Sequence, residues 1–195
     1  MILSPRFEQA LTYASILHCG QFRKATRIPY ISHLLSVAAL VLEHGGHEDE
    51  AIAALLHDAI EDAGGQPRLE DLRQRFGDHV AEIVLGCTDT DQTPKPPWFE
   101  RKQAYIAQLA SVSPSARFVS CCDKLHNARS IVADLRVKGA DVWSRFGGGR
   151  DGTLWYYSTL VGEYRRLGVS PHLVDELART VETMQSLSAS DEGQS

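Results

Sequence analysis

The chain has 195 residues, a formal net charge of −5, 43% hydrophobic and 23% charged residues. That length suits one compact domain, since a domain of about 150 residues already buries roughly 70% of its unfolded surface, and the composition excludes a disordered or fibrous chain. Net negative charge disfavours a general nucleic-acid binder, which must neutralise many phosphates, but it allows a small anionic ligand met by locally concentrated positive charge.

In chain order, Phe7, Ala10, Leu11, Ala14 and Leu17 recur at helical spacing and predict a first helix with one buried stripe. A loop with Gly20 and the stretch Arg23 to Pro29 separates it from a second helix over Ser32–His44, stopped by Gly45-Gly46. A third helix is expected from Glu48 or Asp49 through an apolar run to Asp62, ended by Gly64-Gly65. Leu69–Phe76 and Asp78–Leu85 read as two shorter helices broken at Gly77, and Thr88 to Pro97 as a proline-rich loop. Helix resumes over Trp98–Leu109. Ser113-Pro114 then caps a helix that runs past Asn127, another covers Thr153–Leu167, and Ser170-Pro171 opens a last one to Leu187. The expectation is a single all-α domain over residues 1–187, a bundle of about nine helices, with a polar, frayed tail over 188–195. No run reaches the ~18–20 apolar residues of a membrane span. The N-terminus lacks the basic stretch and apolar core of a secretory signal. Cys19, Cys87, Cys121 and Cys122 show no metal-binding or disulfide spacing, so a reducing cytoplasm is expected.

Two polar intrusions into apolar runs carry the chemistry. In the third helix, Ala51 to Leu56 leads directly into His57-Asp58, with Glu61 and Asp62 a turn later. Residues four apart share a helix face, which would pair His57 with Glu61 and Asp58 with Asp62. An ionised carboxylate buried there needs a cation or donors to compensate it, and one divalent metal would serve several. An isolated His-Asp pair is more often the polar edge of an amphipathic helix, but Phe118 to Cys122 followed by Asp123 and, four residues on, Asn127 repeats the arrangement. His33 stands at the entry of the second helix. Two imidazoles and two carboxylates form a mixed nitrogen and oxygen set suited to a first-row divalent ion.

These pieces, Pro29-Tyr30-x-x-His33, Leu55-Leu56-His57-Asp58-x-x-Glu61-Asp62, Phe76-Gly77 and Asp123-Lys124-Leu125-His126-Asn127, resemble the HD-domain metal phosphohydrolases. Within that family they are most similar to the hydrolase domain of the alarmone (RelA/SpoT-type) enzymes and the small alarmone hydrolases. The resemblance implies His33, His57, Asp58 and Asp123 as ligands of one divalent ion, usually Mn²⁺. It further implies Glu61 and Asp62 as the acid pair that orients or deprotonates water, and Asn127 as a substrate contact. Positive charge gathers at Arg23, Lys24 and Arg27, just ahead of His33, where phosphate binding is expected. The family carries an Arg-x-Ser-Gly-x-Pro-Tyr-like segment here. This chain has Arg23-Lys24-Ala25-Thr26-Arg27-Ile28-Pro29-Tyr30, with Thr26 as the candidate hydroxyl donor. Leu154 to Tyr157 resembles the aromatic segment that approaches the nucleotide. Its main duty is read as core packing, with Tyr157 as a substrate contact. Arg150 and Lys138 are within plausible reach of a phosphate, and the other histidines are read as surface residues or as neighbours of the ligands.

The resemblance implies hydrolysis of the 3′-pyrophosphate of guanosine 3′,5′-bispyrophosphate (ppGpp or pppGpp) to GDP or GTP plus pyrophosphate. The length leaves no room for the synthetase and regulatory domains of the long relatives, so degradation without synthesis is expected. The altered basic loop keeps another nucleotide or NADPH open as substrate, and a non-catalytic nucleotide sensor is a third reading. The expected partner is a small nucleotide, with no nucleic acid and no membrane; oligomeric state is not readable.

Overall fold

A computed structural model describes residues 2–62, 64–90 and 94–190, with the side chains of 62 and 190 outside the description. The described residues are helical and contain no strand; their one β-type contact is an isolated bridge between Phe22 and Pro29. Among the described residues there are nine helices of nine residues or more, a four-residue turn and one 3-10 segment, Gly139–Arg145. In order they are α1 (Pro5–Leu17), α2 (Ile31–Glu43), α3 (Glu48–Leu56), the single turn α4 (Ala59–Asp62), α5 (Gly65–Phe76), α6 (Asp78–Cys87), α7 (Trp98–Gln108), α8 (Pro114–Lys138), α9 (Gly149–Arg166) and α10 (Pro171–Ser190).

Ser113 caps its helix as expected, and Ser4 is a cap of the same kind. Ser4 Oγ accepts from the Arg6 amide ahead of Pro5, and Ser113 Oγ accepts from the Ala116 amide ahead of Pro114. Gly77, at φ 92°, supplies the left-handed turn that separates α5 from α6. Two expectations are corrected. The third helix is not continuous to Asp62: it stops at Leu56, and His57-Asp58 form a turn before α4. His57 Nδ1 contacts the Ala54 carbonyl at 2.8 Å, which ties the imidazole back onto the last turn of α3 and turns its other nitrogen toward Asp58 and Asp123. The final helix passes Leu187, because Ser188 is buried and its hydroxyl donates to the Met184 carbonyl. The expected tail therefore loses 188–190 to α10, while 191–195 lie outside the described residues.

Residues Ala51 to Leu56 are fully buried on every side of α3, the pattern of a helix enclosed by others. It packs on α1, α2, α6 and α8. Ala10 and Ala14 on α1 give it a small-residue face against this rod. The longest helix, α8, buries Ala116, Ser120, Cys121, Cys122 and Ala128, and its small side chains admit α2, α6, α9 and α10 around it. The buried cysteines thus act as small core groups. Among the described residues no helix is long and apolar enough to cross a membrane. The N-terminal end of α2, the C-terminal end of α3 and the middle of α8 meet at one point.

The approach of α2 to α8 is tight beyond His44. A Cβ on Gly46 would lie 2.8 Å from both the Val41 carbonyl oxygen and the Phe118 ring. Because one of these atoms is backbone, Gly46→Ala is expected to destabilise the fold by about 1–3 kcal/mol, measured as a lowered urea midpoint.

Candidate functional site

The meeting point of α2, the α3–α4 turn and α8 brings the four expected ligands together. His33 Nε2 lies 3.2 Å from Asp123 Oδ1 and 3.7 Å from Asp58 Oδ2, and His57 Nε2 lies 3.6 and 3.0 Å from the same two oxygens. Donors bonded at about 2.0–2.2 Å to one ion stand roughly 3.0–3.5 Å apart, so the separations fit a shared divalent cation. His57 Nε2 is buried and faces the two carboxylate oxygens without a well-aligned hydrogen bond among the described residues, which a metal bond would satisfy. The donor set and this poorly aligned nitrogen both fit an ion held by His33, His57, Asp58 and Asp123.

Each neighbour of these groups is specific. Tyr30 Oη donates to Asp58 Oδ2 at 2.5 Å, Asn127 Nδ2 donates to Asp123 Oδ1 at 2.6 Å, and Lys124 Nζ contacts Asp123 Oδ2 at 2.6 Å. His33 Nδ1 and His126 Nδ1 are 2.7 Å apart. With His33 Nε2 turned to the ligand cluster, His33 Nδ1 is the donor and His126 the acceptor, which fixes the His33 tautomer. Burial would raise Asp58 and Asp123, but His57 beside the first and Lys124 beside the second outweigh it and hold both below the ordinary carboxylate range. Burial would likewise keep His57 neutral, yet the two carboxylates raise it well above the usual imidazole value. Desolvation wins at His33, which is lowered, and at His126, pushed down to about 4. Metal binding therefore has to displace a proton from His57.

Beside the ligands opens a cavity of about 530 Å³. Arg23, Lys24 and Thr26 from the loop line one wall, Lys124, His126 and Asn127 the floor, and Trp98, Phe146, Tyr156 and Tyr157 the far side. The loop is pinned by the Arg23 amide to the Ile28 carbonyl and the Tyr30 amide to the Gln21 carbonyl, both 2.9 Å. Arg23 Nη2 donates to Asn127 Oδ1 at 2.7 Å, so guanidinium, amide and Asp123 form one chain. The Thr26 hydroxyl is spent inside the loop: it donates to the Arg23 carbonyl and accepts from the Ile28 amide. Tyr156 and Tyr157 belong to the core and to the cavity wall at once. Arg27, Lys138 and Arg150 do not line the cavity, and Lys138 faces Asp134 at 4.0 Å.

Glu61, expected beside His57 on one helix face, instead pairs with Lys95 Nζ at 2.7 Å, because the turn at His57-Asp58 resets the register of α4. The Asp62 side chain lies outside the described residues. Sequence reasoning missed Trp98, Lys102, Lys124 and Arg145. Only Lys124, adjacent to Asp123, carried a local signal; the others reach the cavity from distant segments.

Residues 10–154 match the HD-domain family. The chain is 36% identical over 139 residues to guanosine-3′,5′-bis(diphosphate) 3′-pyrophosphohydrolase MESH1 of Xenopus tropicalis, covering 70% of this chain and 73% of that protein. It is 35% identical over 126 residues to the protein of the same name in Homo sapiens, with 63% and 68% covered. A solved structure described as a metazoan ortholog of SpoT that hydrolyzes ppGpp superposes with a TM-score of 0.76 at 28% identity, covering 93% of this chain and 97% of that one.

Two outcomes are expected from these local features. Ala25, at the loop tip, has φ 57°, which costs a residue with a Cβ about 1–2 kcal/mol. Ala25→Gly should return about 0.5–1 kcal/mol after glycine's own entropy cost, seen as a raised melting temperature. An unfolded histidine binds its proton near pH 6.5, whereas folded His126 resists until about 4. The unfolded state therefore holds more protons in that window, and His126 withdraws stability as the pH falls through it. Raised His57 acts on the other side, its contribution complete below about 6.5 and lost as pH rises. Urea denaturation of the metal-free protein should show a shallower loss from pH 6.5 to 4 in His126→Gln than in the wild type.

Proposed function

The chain belongs to the HD-domain family, and from that premise we propose that it is a metal-dependent hydrolase that removes the 3′-pyrophosphate of ppGpp or pppGpp, releasing GDP or GTP and pyrophosphate. The single observation that carries this reading is the convergence of His33, His57, Asp58 and Asp123 at the edge of a cavity lined by cations and aromatic rings. These four residues would hold the ion, taken to be Mn²⁺. When bound, the ion supplies Lewis-acid chemistry, polarising a phosphoryl oxygen and lowering the pKa of water.

The chain's own groups divide the remaining work. Arg23 and Lys24 bind phosphate oxygens at the cavity wall. Asn127, tied to Arg23 on one side and Asp123 on the other, orients the substrate relative to the ligands. Tyr157, with Trp98 and Tyr156, offers the apolar surface on which a purine rests. Thr26 holds the loop in shape rather than touching phosphate, since its hydroxyl is engaged at both ends. Glu61, with Asp62, takes the proton from the attacking water at its carboxylate, and Lys95 must yield its contact for Glu61 to do so. Four free thiols, three of them buried, agree with a cytoplasmic setting.

The purified chain should release pyrophosphate from ppGpp with Mn²⁺ and lose this activity to a chelator. Glu61→Gln should lower kcat by at least about 100-fold while metal content, read by elemental analysis, stays at the wild-type level. No metal-dependent pyrophosphate release from ppGpp, alongside orthophosphate release from NADPH, would reassign the substrate. Arg23→Ala should raise KM far more than it lowers kcat, because its guanidinium binds phosphates and does not move protons.

A further inference from the structure

A second group of potential metal ligands lies away from the catalytic cavity. His44, the residue that closes α2, faces His172 and Glu176, which stand one turn apart near the start of α10. One ligand atom from each can be chosen so that all lie within 4.8 Å of one another. His44 Nε2 and Glu176 Oε2 are 3.4 Å apart, the spacing of adjacent donors around an ion with bonds of about 2.0–2.2 Å. His33 and His44 belong to the same helix but stand about 16 Å apart at 1.5 Å rise per residue, so the two groups cannot share an ion. None of the three residues lines the catalytic cavity.

The surroundings keep these groups in a form that can ligate a metal. The His44 side chain is only 10% exposed, and burial, together with nearby His172 and Arg129, lowers its pKa. That keeps the imidazole in the neutral, ligating form near pH 7. The two oxygens of Glu176 have different neighbours: Oε1 pairs with Arg129, while Oε2 faces His44. Arg129 thus orients the carboxylate without covering the oxygen that points at the imidazole. His172 is exposed at the rim, which leaves an entry path and room for water as a further ligand.

We propose that His44, His172 and Glu176 form a second metal site, for Zn²⁺ or a similar borderline divalent ion, that ties the end of α2 to α10. Two imidazoles and one carboxylate favour such an ion over Mg²⁺ or Ca²⁺, which take oxygen ligands. Three protein ligands with an open position also match tetrahedral zinc. The site is independent of the hydrolytic reading and would stand if the substrate were different.

The test is Zn²⁺ stoichiometry of the full chain by equilibrium dialysis. The wild type should bind two equivalents. His172→Ala should bind one, keeping its Mn²⁺-dependent activity, since His172 is exposed and touches nothing in the catalytic cavity. Asp58→Ala/Asp123→Ala, which dismantles the catalytic ligand set, should also bind one. In that background Glu176→Gln should weaken the remaining equivalent by at least about tenfold. Circular dichroism checks that each variant is folded. A single equivalent in the wild type, or an unchanged second equivalent in His172→Ala, would overturn the proposal.

Discussion

Two carboxylates held side by side, Asp123 buried and Asp58 half-buried, constrain this molecule more than any other contact. Asp58 and Asp123 present one oxygen each to the same pair of imidazole nitrogens, and each ion removed from water costs several kcal/mol unless it is met by charge or hydrogen bonds. Compensation comes from separate parts of the chain: Tyr30 before α2, His33 within it, His57 after α3, and Lys124 and Asn127 on α8. None of these groups can serve unless three helices converge to within a side-chain length. The polar centre therefore demands an accurate bundle, and a bound divalent ion would relieve the same repulsion that the protein alone meets with a protonated His57.

The scaffold supplies that accuracy by enclosing two helices almost completely. α3 has no polar face between Ala51 and Leu56 and is fixed by packing on all sides. α8 gains its central place through small residues, which let neighbours approach on several faces. A buried tyrosine and serine network adds direction to this packing: the Ser120 hydroxyl meets both Tyr105 and Tyr164, three residues before Asp123. A hydrogen bond buried this way specifies helix rotation more sharply than apolar contact does. It sets the face from which Asp123 projects.

The same distinction explains what could be read from the sequence. The helical class, the cap at Ser113, the break at Gly77 and the candidate ligand set are all encoded locally, by spacing and by acids placed directly after apolar runs. The turn at His57-Asp58 was not legible, because Ala51 to Asp62 has no glycine or proline and the modest helix propensity of His57 and Asp58 does not by itself break a helix. The interruption is tertiary: the ligand side chains turn toward His33 and Asp123. Thr26 was readable as a hydroxyl but not as one consumed by its own loop, and Glu61 was readable as an acid but not as the partner of Lys95, thirty-four residues away. Cavity residues such as Trp98, Lys102 and Arg145 carry no local mark, since only the fold brings α7 and the 3-10 segment to the same wall.

The distribution of cavity cations follows from the same need for compensation. Lys124 is paired with Asp123, Lys102 with Asp89 and Arg145 with Asp134. Among the described residues, Arg23 and Lys24 are the cavity cations without a carboxylate partner. The deep cations can bind a polyanion only by leaving an acid, whereas the loop cations can bind it at once. A phosphate-rich ligand would therefore meet the loop first and then reach Lys102 and Arg145, whose acids each keep a second cation, Asp89 with Arg101 and Asp134 with Lys138. Without such a ligand these pairs leave neither Lys102 nor Arg145 as an unpaired cation inside a chain of charge −5.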